Sequence, residues 1–144
     1  MFRTLTATTI GLALGLVRAA AGEPTPDQVQ FFENEIRPIL TDHCYRCHSA
    51  TAEKIKGGLL LDTREGVLRG GDSGPVIVPG NPDKSPLIIA VRYTDEDLQM
   101  PPKNKKLSDA QIAALEKWVK MGAPDPRRET AATKPASLNG KDHW

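Results

Sequence analysis

Cysteine is scarce in this 144-residue chain: there are two, Cys44 and Cys47, and both fall inside the short stretch "TDHCYRCHSA". A single pair excludes a scaffold stapled by several disulfides. Aromatic residues are few as well, with three Phe, two Tyr and two Trp. A small domain so poor in large apolar side chains is marginal unless something staples or fills its core. An excess of charge of one sign is also missing. Nineteen Lys and Arg stand against 18 Asp and Glu, a balance that gives no reason to expect a nucleic-acid partner. The sequence contains no Ser/His/Asp set, no paired carboxylates at a useful spacing and no phosphate-cradling loop, so the usual signatures of hydrolytic and nucleotide-using enzymes are lacking. Internal repeats are absent too.

Long hydrophobic runs are missing. The apolar stretch from Ile10 to Val17 is short of the roughly 20 residues that cross a bilayer, and four threonines lie upstream of it. Arg3 before it and Ala19-Ala20-Ala21 after it complete the order of a secretory leader. Residues 1–21 therefore read as a signal peptide cleaved after Ala21; an uncleaved membrane anchor is the alternative. Loss of Arg3 and Arg18 with the leader turns a formal charge of +1 into −1. The mature chain is expected to have no membrane span and to work in the periplasm or at the cell surface. Residues 22–124 are expected to form one domain. From residue 125 onward, "DPRRETAATKPASLNGKDHW" has no apolar period, and 125–144 reads as a flexible tail or linker.

The periodicity within the domain is helical. Thr25-Pro26-Asp27-Gln28 is a capping box with proline at the first helical position. Val29, Phe32, Ile36, Ile39 and Leu40 continue at helical spacing, with a kink or restart expected at Pro38. Asp62 and Glu65 suggest a second capping box, on a short helix stopped by Gly70-Gly71. Val76-Ile77-Val78 fits a short extended piece inside a turn-rich loop. Ser85-Pro86 opens a third helical segment that ends near Arg92 and buries Leu87, Ile88 and Val91. Ser108 with Gln111 caps a last helix, lined by Ile112, Leu115 and Val119 and ended by Gly122. The expected fold class is all-α: about four short helices joined by long loops rich in Gly and Pro.

Within "CYRCH", Cys44, Cys47 and His48 have the spacing of c-type haem attachment, C-x-x-C-H. Two thiols three apart on a helical turn can bond the two vinyl groups of one porphyrin edge, and the adjacent imidazole then reaches iron. A haem would also supply the missing core. Three other uses stay open: a tight disulfide, a thioredoxin-like redox pair and a zinc site. The redox pair belongs beside a βαβ pattern, which this chain lacks. A closed zinc site needs four ligands, and His43 and His143 do not make a second pair. His43 reads as a surface or propionate-facing residue. Met100, followed by Pro101 and Pro102, is the candidate sixth ligand, because a thioether favours ferrous iron and the prolines restrict the loop that presents it. Met121, three residues after Trp118, is explained by packing.

Taken together, "FFENEIRPILTDHCYRCHS", "KGGLLLDTREGVLRGGDSGPVIVPGNPDKSPLIIAV" and "QMPPKNKKLSDAQIAALEKWVKMGAP" resemble the planctomycete-type cytochrome c domain from Phe31 to about Pro124. The resemblance implies a class I cytochrome c fold around haem c. It also implies Cys44 and Cys47 as thioether sites, His48 as proximal iron ligand and Met100 as distal ligand. Such domains commonly open longer exported proteins, and "KDHW" resembles the join to a further domain. The expected function is one-electron transfer to an unidentified redox partner protein, with no chemistry on a substrate. Two alternatives are a five-coordinate haem enzyme or sensor for peroxide or a small gas, and a haem-binding module of a larger surface enzyme. Lys103, Lys105 and Lys106 form a basic cluster after the proposed ligand loop, and Asp95-Glu96-Asp97 an acidic one that fits a solvated loop or a weak cation contact.

Overall fold

A computed structural model describes residues 23–103 and 105–127; the expected leader and nearly all of the expected tail lie outside them. Among the described residues the chain is helical, with no β-strand and one isolated antiparallel bridge, Gly71 to Gly74. Helix α1, Pro26–Phe31, opens at the capping box expected at Thr25, whose hydroxyl accepts from the Gln28 N–H while the Gln28 side chain accepts from the Thr25 N–H. It runs through a π-helical turn, Phe32–Ile36, into α2, Arg37–His43. The restart expected at Pro38 takes this form. Proline has no N–H to donate, and the turn before it widens so that Arg37 N–H reaches Phe32 O, five residues back.

Helix α3, Arg64–Arg69, differs from expectation in its cap. Thr63, not Asp62, is the N-cap and accepts from Gly66 N–H. The Asp62 carboxylate is taken by Ala50 N–H at 2.8 Å, twelve residues upstream. Helix α4, Pro86–Arg92, follows Ser85, but the Ser85 hydroxyl does not cap it. Fully buried, Ser85 bonds instead to Val78 and to Asn81 O, which cinches the loop that includes Val76-Ile77-Val78. Helix α5, Asp109–Lys120, has the full capping box at Ser108 and Gln111, and Gly122, at φ 95°, turns the chain after it.

Phe32, Ile36 and Leu40 from the first helical run meet Leu115, Trp118 and Val119 of α5 and Ile88 and Val91 of α4 in one buried cluster. Phe32 and Trp118 pack as a tilted pair, ring centroids 5.9 Å apart at 57°. Each such side chain, fully buried, contributes about 1.5–3 kcal/mol. Arg92 links α4 to Glu116 of α5 and to Asp83, pairs that at an exposed surface add little. Beyond Pro124 the packing continues. Asp125 is buried and Arg127 points back into the fold, so the packed part extends past the expected end of the domain.

Candidate functional site

The end of α2 delivers the cysteine motif. Cys44 and Tyr45 N–H both donate to Leu40 O, and Cys47 and His48 N–H both donate to Cys44 O. This single turn brings Cys44, Cys47 and His48 onto the wall of one cavity of about 510 Å3. That volume lies within the roughly 300–1,000 Å3 of ordinary ligand sites. The carbonyls after the motif are held as well: Lys56 N–H donates to Cys47 O at 2.9 Å and Leu61 N–H to His48 O at 2.8 Å.

A second wall comes from α4, through Leu87, Ala90 and Val91, and from the loop that follows it. Met100 lies in that loop and lines the cavity, its N–H donating to Ala90 O at 3.1 Å, while the residue is 39% exposed. Tyr93 anchors the loop. It ends α4 in the left-handed conformation, at φ 60°, and its hydroxyl donates to Pro101 O. The remaining wall is the glycine-rich loop, where Gly71 allows a close approach: a Cβ there would lie 2.5 Å from Gly57 O. Met121 does not line the cavity. His43 does, and its ring is fixed from α5. Gln111 Oε1 accepts from Ser108 N–H, so Gln111 Nε2 is the atom that faces His43 Nε2, at 3.1 Å.

The electrostatics separate the candidate uses of the motif. Burial pushes the Cys44 thiol up to about 12, with the neighbouring Cys47 adding to the rise. Redox and metal-binding cysteines have their thiolates favoured, so this thiol suits neither role and suits an apolar wall. Burial lowers the His48 pKa, partly opposed by the carbonyls of Lys56 and Leu59, and keeps the imidazole neutral, the form that binds metal. His48 Nδ1 is buried without a hydrogen-bond partner. An orphaned buried nitrogen costs about 1–3 kcal/mol until it gains a partner of its own. Among the described residues no three His, Cys, Asp or Glu cluster closely enough to hold a bare metal ion. A cavity with an apolar lining, two thiols, an imidazole and a thioether suits a flat iron porphyrin better than an ion.

Three groups escaped the sequence reading. Tyr93 gives no periodic signal, and the position of Gln111 signals only a cap. Asp125 and Arg127 lay in a segment whose composition suggests a linker; the aromatic targets Phe32 and Tyr45 are too distant in sequence to signal the contact.

Among solved structures, Kuenenia stuttgartiensis hydrazine synthase is similar to this chain at 25% sequence identity with a TM-score of 0.39, over 67% of this chain and 17% of that one. The chain thus spans less than a fifth of that protein's length. No curated protein gives a significant match. Residues 44–104 match the family model described as Planctomycete cytochrome C, beginning at the first cysteine of the motif. Residues 44–104 are thus similar to planctomycete-type cytochrome c domains, a family whose cofactor is covalently bound haem c and whose C-x-x-C motif Cys44 and Cys47 fit.

Proposed function

We propose that this chain is an exported one-electron carrier whose haem c is bound by Cys44 and Cys47 and ligated by His48 and Met100. The supporting observation is that these four residues line one apolar cavity. Bound there, the haem supplies a reversible Fe(III)/Fe(II) couple. The chain's own residues do the rest. The thiols anchor the ring, and the imidazole and thioether set the balance between oxidation states. Leu61, Leu87 and Val91 keep water from the metal. Export rests on the leader at 1–21 and on the habit of such domains; no helix among the described residues is long and apolar enough to cross a membrane. The carrier serves an unidentified redox partner.

The test is direct. The mature protein, made with a haem-attachment system, keeps its haem through acid–acetone extraction and titrates as one reversible electron. Haem that washes out with both thiols free defeats the proposal. The exposure of Met100 favours a second reading, a five-coordinate enzyme or sensor. It requires the untreated wild type to bind carbon monoxide or cyanide readily.

Lys103, Lys105 and Lys106 are exposed and follow the Met100 loop. Replacing all three by Gln is expected to slow oxidation by an anionic reagent such as hexacyanoferrate severalfold at low ionic strength. In high salt the rates converge, because the Debye length falls to about 3 Å near 1 M. Equal rates at low salt return the lysines to a solubility role.

A further inference from the structure

Arg127 makes several hydrogen bonds from one side chain, and it belongs to the segment after the last helix. Its side chain is 8% exposed. Nε and Nη2 grip the Asp125 carboxylate, itself 3% exposed. Nη1 donates in two further directions, to Tyr45 Oη at 3.0 Å and to Leu61 O at 2.7 Å. The guanidinium plane lies over the Phe32 ring, 5.0 Å from its centroid. The segment is fixed to α5 as well, because Trp118 Nε1 donates to Pro124 O at 2.8 Å.

Both targets of Nη1 belong to the haem segment. Tyr45 lies between the two cysteines. Leu61 lines the cavity, and its N–H is the donor to His48 O. A chain of hydrogen bonds thus runs from Arg127 to the Leu61 carbonyl and, across the Leu61 Cα, from the Leu61 N–H to the carbonyl of the histidine. A buried cation serving only as a staple would need its counter-ion and one acceptor; here the planar fork is divided among three separate segments. Groups that hold a metal-binding histidine from behind help to fix its orientation.

We propose that Arg127, held in place by Asp125, is a positioning residue for His48: it fixes the Leu61 carbonyl and the Tyr45 hydroxyl, and through the Leu61 amide it fixes the backbone that aims the imidazole. The proposal rests on the reading of His48 as iron ligand. Lysine cannot replace arginine in this role, since its three donors share one nitrogen, whereas Asp125, Tyr45 and Leu61 are met by three different nitrogens of the planar fork.

The test uses the haem-loaded full chain with Arg127→Lys and Arg127→Met. Two readouts are compared with global stability in denaturant: amide hydrogen exchange at Leu61, and the g-values of the oxidised haem in electron paramagnetic resonance, which follow the orientation of the axial ligands. Exchange at Leu61 is expected to quicken at least about ten-fold in both variants, beyond any change in the α5 amides, because the opening is local. The g-values are expected to shift in both, and neither variant rescues the other. Unchanged g-values in Arg127→Lys overturn the proposal, as does an acceleration of exchange that is uniform across the chain. Should Arg127→Met fail to fold or load haem, Arg127→Lys, which keeps the charge beside Asp125, decides alone. The underlying ligand reading fails separately: a His48→Ala protein with wild-type g-values would refute it while leaving the Leu61 exchange result standing.

Discussion

Replacing both thiols, Cys44→Ser with Cys47→Ser, is expected to yield a chain that keeps no haem through acid–acetone extraction and does not maintain a stable fold. The substitution hardly changes side-chain volume, so beyond the cost of placing a hydroxyl on the apolar wall, about 1–3 kcal/mol, the loss comes from the bond to the cofactor. Without that filler the protein has an apolar cavity of about 510 Å3 in a domain with few large side chains. At about 24 cal/mol per Å3 of empty core the vacancy costs up to roughly 12 kcal/mol, an upper bound because the mouth opens to solvent. Small domains have about 5–15 kcal/mol of stability in all. The cost is comparable with the whole, and His48 and Met100 alone hold a haem that exchanges. Far-ultraviolet circular dichroism and haem staining after denaturing electrophoresis measure both effects. Each single variant retains one thioether bond and stains, whereas a stained band in the double variant sinks covalent attachment by these residues.

The parts of this fold legible in the sequence are those whose causes are local. The capping boxes at Thr25 and Ser108 depend on residues three apart, and both form as expected. The positions expected to line the last helix are buried because a 3.6-residue period needs no knowledge of distant partners. Where a distant group competes, the local rule fails. Asp62 has the spacing of a cap, yet the Ala50 amide captures its carboxylate and Thr63 takes over. Ser85 stands at the head of α4, yet Val78 and Asn81 claim its hydroxyl. The segment after Pro124 shows the same limit. Its contribution is one buried ion pair reaching Tyr45 and Leu61, and an ion pair leaves no hydrophobic period to detect. For the site, the cysteine motif and Met100 stood out as candidates because rare residues stand in a fixed order, and they line one cavity. The walls could not, since Leu87, Val91 and Val76 look like any other core residues until the loops close.

Met100→Ala is expected to abolish the sulfur-to-iron charge-transfer band of the oxidised protein and to lower its potential, while Met121→Leu changes neither. The two methionines are held differently. Met100 lines the cavity in a loop fixed at both sides of the side chain, by its own N–H to Ala90 O and by the Tyr93 hydroxyl to Pro101 O. Met121 is the C-cap of α5, outside the cavity lining, and its N–H is bonded to Lys117 O. A thioether stabilises ferrous iron, so its loss shifts the couple downward, by a sizeable part of the roughly 0.8 V over which axial ligation moves haem potentials. Removing it also opens the iron to cyanide, azide and carbon monoxide. Met121→Leu nearly conserves volume and is expected to cost less than about 1.5 kcal/mol of stability. Spectroscopic redox titration of the two variants beside the wild type makes the comparison. A band that survives in Met100→Ala and disappears in Met121→Leu reverses the assignment. If the wild type has no band and takes exogenous ligands at once, Met100 leaves the iron open, and the carrier gives way to the five-coordinate enzyme or sensor.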